Sequence, residues 1–266
     1  MSGKSKHKRI ALGIDIGGTK ILAGLVAEDG RIIDQEVVPT APLARPNAAE
    51  QLTGLAKRLA DRNGLELGTL AGIGIGVPGV IDPESGMIVS CPNTKGLEGL
   101  VLGAHMESLT GLSTRVENDV NLAAWGEHWL YLPEVQNMVF MALGTGLGCG
   151  LVLNGRLYRG TGAAGEMGHM VIEREGPLCG CGKRGCFEAL ASGKAIAGTY
   201  RALCAESLPG GSENRGCEVS TEEVFARAEA GDTIARRVIE QTLTYLSLCA
   251  VNVANLLAPE VIVIGG

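Results

Sequence analysis

Residues 10–26 read Ile10-Ala11-Leu12-Gly13-Ile14-Asp15-Ile16-Gly17-Gly18-Thr19-Lys20-Ile21-Leu22-Ala23-Gly24-Leu25-Val26. The pattern predicts a strand, a turn at Gly17-Gly18 and a second strand returning. Asp29-Gly30 then turns the chain into residues 31–38, which makes an antiparallel meander. Glycine lets backbone N–H groups approach an anion, and Thr19 and Lys20 add a hydroxyl and an ammonium, so the first turn can hold phosphate. Taken alone, a Gly-Gly-Thr turn also reads as an ordinary hairpin.

A second stretch resembles the first. Met141-Ala142-Leu143-Gly144-Thr145-Gly146-Leu147-Gly148-Cys149-Gly150-Leu151-Val152 aligns Gly144-Thr145 with Gly18-Thr19 and Gly150-Leu151-Val152 with Gly24-Leu25-Val26 at one constant offset. After one residue of slip, Asn154-Gly155-Arg156 matches Asp29-Gly30-Arg31. The chain therefore reads as two copies of one strand, turn, strand, turn unit. The alternative is a chance match of glycine-rich hairpins. Two facing hairpins of this kind would grip a nucleotide from both sides.

Around them, helical spacing is expected over 48–62 and ends at Asn63-Gly64, while 71–77 is a buried strand closed by Pro78-Gly79. A helix over 100–109, a strand over 114–117 and a helix over 120–131 complete an α/β alternation. Further helices are expected near 194–206, 221–230 and 233–257, then a strand over 261–264 ending on Gly265-Gly266. The domain reading is a tail at 1–9, an N-terminal α/β lobe at 10–118 and a C-terminal α/β lobe at 119–266. The final strand is poised to continue into a turn and helix, so a further C-terminal segment is expected that this sequence does not contain.

A chain of 266 residues that is 45% hydrophobic can bury a sizeable core. No run approaches the roughly 18 uninterrupted apolar residues of a transmembrane helix. Nothing at the N-terminus resembles a signal peptide, and eight cysteines in that context point to a reducing cytosol, with some on metal. The formal net charge of −6 argues against nucleic acid as a main partner. The one basic cluster, Lys4, Lys6, Lys8 and Arg9, reads as a solvated tail. Forty glycines and 3% aromatics suggest tight turns and close backbone approach to a ligand, with little aromatic stacking.

Residues 165–188 hold the strongest chemical signal. Gly165-Glu166-Met167-Gly168-His169 precedes Cys179-Gly180-Cys181-Gly182-Lys183-Arg184-Gly185-Cys186-Phe187-Glu188. His169 with Cys179, Cys181 and Cys186 is a donor set of the kind that holds a tetrahedral structural Zn²⁺. The alternative, buried thiols and an ordinary polar histidine, sits poorly with glycines between the cysteines. Glu166 and Glu188 flank the cluster, so a metal there would brace a polar pocket.

Glu117-Asn118-Asp119-Val120-Asn121 joins a strand to a helix. Either Asn118 or Asp119 could simply cap the helix, but a carboxylate facing bound nucleotide could also accept the proton of an attacking hydroxyl. Asp119 is the candidate base. Asn93, Glu166, His169 and Glu188 are groups suited to a polyhydroxylated substrate, and His169 can bind metal through one ring nitrogen while the other donates.

Together these motifs resemble the ROK family (repressors, open reading frames and sugar kinases), most closely its bacterial glucokinase-like members. The residues that carry the resemblance are Asp15 to Lys20, Gly76-Val77-Pro78-Gly79, Glu117-Asn118-Asp119, Gly144-Thr145-Gly146 and the two segments around the metal cluster. It implies the two-lobed actin-like ATPase (ribonuclease-H-like) fold of sugar kinases with a structural zinc motif. It also implies ATP-dependent phosphorylation of a hexose 6-hydroxyl, with Asp119 as base. Sugar would be held by Gly79, Asn93, Asn118, Asp119, Glu166, His169 and Glu188, and zinc by His169, Cys179, Cys181 and Cys186. Asp15, Gly17, Gly18, Thr19, Lys20, Gly144, Thr145, Gly146, Gly265 and Gly266 would line ATP and its Mg²⁺. A cytoplasmic homodimer follows from the same resemblance.

Glucose is the first substrate expected, with N-acetylmannosamine or N-acetylglucosamine as the alternative. A ROK repressor would need an N-terminal helix-turn-helix domain, for which the dozen residues before Gly13 leave no room. A sugar-sensing protein without catalysis is the remaining alternative, against which the intact Asp119 stands. Cys91, Cys149, Cys204, Cys217 and Cys249 are read as core or surface thiols.

Overall fold

The computed structural model describes residues 9–41, 43, 47–92, 94–207 and 219–266. The chain divides into two compact units, Met1–Pro133 with Leu157–Ala164, and Glu134–Arg156 with Gly165–Gly266.

In the first unit the meander forms as its alternation predicts. β1 (Ile10–Ile16) buries Leu12, Ile14 and Ile16, β2 (Lys20–Ala27) returns against it, and β3 (Ile32–Pro39) follows. Helix α1 (Ala48–Arg62) lays Leu52, Leu55, Ala56 and Leu59 on the sheet. Asn63 caps the helix and Gly64, at φ +68°, takes the left-handed backbone there that favours glycine. β4 (Ile73–Val77) pairs parallel with β1, a short hairpin of β5 (Val80–Ile81) and β6 (Ile88–Ser90) follows, and α2 (Leu102–Thr110) leads to β7 (Thr114–Asn118). The sheet order is β3-β2-β1-β4-β7, and β7 runs directly into α3 (Asp119–Tyr131).

In the second unit β8 (Met138–Leu143) pairs antiparallel with β9 (Leu147–Leu153), and β10 (Arg156–Tyr158) follows where the chain passes back to the first unit. Helices α4 (Phe187–Ala191), α5 (Gly193–Glu206), α6 (Thr221–Glu229) and α7 (Thr233–Leu257) precede β11 (Val261–Gly265), which lies parallel to β8. The order β10-β9-β8-β11 repeats that of β3-β2-β1-β4. The register repeats too: Gly76 of β4 stands opposite Asp15, and Ile264 of β11 stands opposite Met141. The two hairpin turns differ by one residue. Ile16 pairs with Ile21 in the first, and Leu143 pairs with Leu147 in the second.

The lobe boundary expected at 118/119 differs from the boundary between these units. It falls between the N-cap and first residue of α3, and α3 packs on β4 and β7 within the first unit, joined there by Leu157–Ala164. The tail at 1–9 lies outside the described residues apart from Arg9. No helix among the described residues is long and apolar enough to cross a membrane.

Candidate functional site

In the first unit the candidate residues gather at the C-terminal ends of β1, β4 and β7. Asn118 is the N-cap of α3, and its Oδ1 accepts from the Asn121 N–H at 2.9 Å. Its Nδ2 donates to the Gly79 carbonyl at 3.0 Å, so the capping role and a position beside Gly79 are both realised. Asp119 begins α3, where its Oδ1 accepts from the Val120 N–H at 2.9 Å. Burial pushes the Asp119 carboxyl above its ordinary range, against the hydrogen bonds from the Val120 and Asp119 amides. Asp15 is raised as well, first by burial and then by the negative charge of Asp119, while Lys20 opposes the rise.

Gly76 lies next to both residues. A Cβ there would lie 3.3 Å from Leu122 Cδ1 and 3.6 Å from both Asp119 Cα and Asp15 Oδ1. Gly79, at φ +119°, has no room for a side chain against the Ser90 carbonyl. The Gly17–Lys20 turn closes with the Gly17 N–H donating to the Lys20 carbonyl at 2.9 Å, with Gly18 and Thr19 at its tip. Thr40, buried, grips this turn twice: its Oγ1 donates to the Gly17 carbonyl at 2.8 Å and its N–H to the Thr19 carbonyl at 3.0 Å. Glu117 lies under the cap, accepting through Oε1 from the Asn118 N–H and Asn121 Nδ2, each at 3.0 Å, while its Oε2 pairs with Arg159 Nε. Sequence reasoning assigned no role to Thr40 or Arg159. Asn93 lies outside the described residues.

In the second unit Glu166, the turn Met167–His169 and the start of α4 converge. The four ligand atoms of His169, Cys179, Cys181 and Cys186 lie within 4.8 Å of one another. His169 Nδ1 is 3.6 Å from Cys179 Sγ, and Cys181 Sγ is 3.6 Å from Cys186 Sγ. A tetrahedron with Zn–S near ~2.3 Å and Zn–N near ~2.0 Å has edges of about 3.5–3.8 Å. The donors present therefore fit such an ion in number and type, and the two 3.6 Å separations match its edges within a cluster spanning up to 4.8 Å. His169 Nε2 faces Glu166 Oε2 at 3.9 Å, so Nδ1, on the cysteine side, is the nitrogen that a metal would take. Gly185, at φ +68°, presses against the Glu173 carbonyl, and the knuckle backbone has no space for a side chain there.

Glu188 stands in the first turn of α4 with Oε2 accepting from the Leu147 N–H at 3.0 Å and Oε1 3.9 Å from Cys179 Sγ. Gly144, Thr145 and Gly266 border a cavity of about 920 Å³ that Lys194, Thr221 and Phe225 also line. Gly265 packs on Phe140. Lys194, Thr221 and Phe225 escaped sequence reasoning because they are scattered over two helices with no motif between them. Of the unassigned thiols, burial raises Cys91 and pushes Cys149 up to about 12 and Cys249 to about 11, which makes them poor nucleophiles, while Cys204 is half-buried. Cys217 lies outside the described residues.

The chain is 36% identical over 257 residues to an N-acetylmannosamine kinase of Citrobacter koseri, covering 96% of this chain and 82% of that protein. It is 36% identical over 270 residues to a glucokinase of Halalkalibacterium halodurans, with 96% and 79% covered. The solved structure of a ROK hexokinase from Thermus thermophilus superposes with a TM-score of 0.80 at 35% identity, over 97% of this chain and 81% of that one. The ROK family model matches residues 11–266, and the chain belongs to the ROK family.

Proposed function

We propose that this chain transfers the γ-phosphoryl group of ATP to the 6-hydroxyl of a hexose, with Asp119 as general base. The observation that carries the reading is Asp119 itself. It is a desolvated carboxylate fixed by its own helix start, with Asn118 locked beside it and a raised pKa suited to taking a proton. The attacking hydroxyl gives its proton to Asp119 as its oxygen bonds to phosphorus, and ADP leaves with the electrons of the broken P–O bond. Mg²⁺ bound with ATP neutralises phosphate charge. Backbone amides of the Gly17–Lys20 and Gly144–Gly146 turns supply anion-binding donors, with Lys20 adding a positive charge.

Asn118, Glu166, His169 and Glu188 hold sugar hydroxyls in this reading, with Gly79 beside them through its hydrogen bond from Asn118. His169, Cys179, Cys181 and Cys186 hold a structural Zn²⁺, which fixes the backbone presenting Glu166 and Glu188. A reducing cytosol would keep these thiols available.

Glucose and N-acetylmannosamine are the two leading substrates, because kinases named for each resemble this chain at the same 36% identity. Coupled measurement of ADP release with glucose, N-acetylmannosamine and N-acetylglucosamine decides between them by kcat/KM. Turnover of none, with ATP and Mg²⁺ saturating, would sink the kinase reading. Sugar binding without turnover would replace it with a sensing role.

A further inference from the structure

Gly146 ends the β8–β9 turn, in a glycine-rich run whose pattern assigns it to phosphate. Its surroundings point elsewhere. It is not among the glycines with positive φ, so its backbone does not demand glycine. A Cβ at Gly146 would meet Glu188 Oε2 at 2.6 Å and Glu188 Cδ at 3.5 Å, and beyond its chain neighbours nothing else within 4 Å. At Gly144, in the same turn, a Cβ would meet nothing within 4 Å. The space withheld at Gly146 is the space that the Glu188 carboxylate fills.

The other side of the same peptide is gripped as well. The Leu147 N–H donates to Glu188 Oε2 at 3.0 Å. A Cβ at Gly168 would collide with the Leu147 carbonyl oxygen and come within 3.5 Å of Glu188 Cβ. Both polar groups of Leu147 are thus met by the segment that carries Glu166, His169 and Glu188: a side chain at 168 would collide with backbone, and one at 146 would push the Glu188 carboxylate away from the Leu147 N–H.

We infer that Glu188 is a positioning residue for the Gly144–Gly146 turn, and that Gly146 and Gly168 are small to admit this contact rather than a phosphate. The carboxylate read above as a sugar ligand is then also the anchor of the phosphate hairpin. A side chain at position 146 disturbs the sugar before it disturbs the nucleotide. The ligand half of this inference rests on the proposed kinase function, whereas the contact itself does not.

Amide hydrogen exchange of the full chain tests the contact, read at Leu147 by NMR for Gly144→Ala, Gly146→Ala, Glu188→Ala and Glu188→Gln. Gly146→Ala and Glu188→Ala should each speed Leu147 exchange at least tenfold. Gly144→Ala should leave it within about twofold, and Glu188→Gln, which keeps a carbonyl acceptor, should retain most of the protection. An unchanged rate in both Gly146→Ala and Glu188→Ala would overturn the contact, and if Gly146→Ala does not fold, Glu188→Ala decides alone. Calorimetric titration with glucose, N-acetylmannosamine and a non-hydrolysable ATP analogue reads the ligand half. Gly146→Ala should weaken the bound sugar at least tenfold and the nucleotide less; loss confined to the nucleotide returns Gly146 to phosphate and refutes the inference. If the wild-type chain binds no hexose, the kinase proposal fails and the exchange rates still decide the contact.

Discussion

Replacing Arg159 by alanine isolates the ion pair that lies under the α3 N-cap. Arg159 Nε pairs with Glu117 Oε2, and the Glu117 side chain is 11% exposed against 42% for Arg159. The variant strands a carboxylate whose other oxygen still holds the Asn118 amide and Asn121 Nδ2. Removing one partner of a fully buried pair costs ~3–5 kcal/mol. Because Arg159 is partly solvated, water replaces some of the lost cation, and the expected cost falls to about 1.5–3 kcal/mol. At roughly 2–4 °C per kcal/mol for a domain of 150–250 residues, that lowers Tm by about 3–12 °C. Glu117→Gln in the Arg159→Ala background keeps the Oε1 acceptor and removes the stranded charge, so it should recover more than half of the loss. Urea and thermal unfolding of the wild type, both single variants and the double variant close the cycle. A cost under about 0.5 kcal/mol for Arg159→Ala, or a double variant no better than the single one, would refute the argument that the pair neutralises a buried charge.

Asp119→Asn should abolish most turnover, on the order of 10²–10⁴-fold for loss of a general base, yet raise Tm at pH 7. The sign follows from the raised carboxyl pKa in the fold: the stability it contributes is fully present below the unfolded-state value and is lost as pH rises through the folded-state value, so ionised Asp119 opposes folding at neutral pH. The gain should fade as the pH is lowered through the acid range, and thermal scans between neutral and acid pH would expose a reversed trend. Elemental analysis should find about one zinc per chain, with Cys186→Ala losing both the metal and several degrees of Tm; metal retained at wild-type affinity in that variant would remove Cys186 from the ligand set. Leu59→Ala empties a fully buried position under the first sheet and should cost about 2–5 kcal/mol in chemical unfolding.

The parts of this molecule legible in its sequence are those written as a local period or a local turn. The 3.6-residue spacing of Leu52, Leu55, Ala56 and Leu59 places α1 at Ala48–Arg62, and α7 likewise occupies Thr233–Leu257. The repeated hairpins are realised as two sheets of the same strand order. Elements too short to show a period escaped: the β5–β6 hairpin, and the five residues of α4 that carry Glu188. Donor identity was enough to assemble the cluster of one histidine and three cysteines, because the chain's glycines bring those residues together over a short span. Contacts across longer separations left no such trace. Glu117 and Arg159 are 42 residues apart, and Leu147 and Glu188 are 41 apart, so no spacing rule relates either pair. The glycines illustrate the limit most clearly. Gly76, Gly79, Gly144 and Gly146 look alike in sequence, but one packs against Leu122, one has positive φ and leaves no room for a Cβ beside the Ser90 carbonyl, one stands in open space and one yields to Glu188. A glycine-rich motif therefore marks a turn; which neighbour a side chain at each position would meet is set by residues outside the motif, from the Ser90 carbonyl at Gly79 to the Glu188 carboxylate at Gly146 and nothing at Gly144.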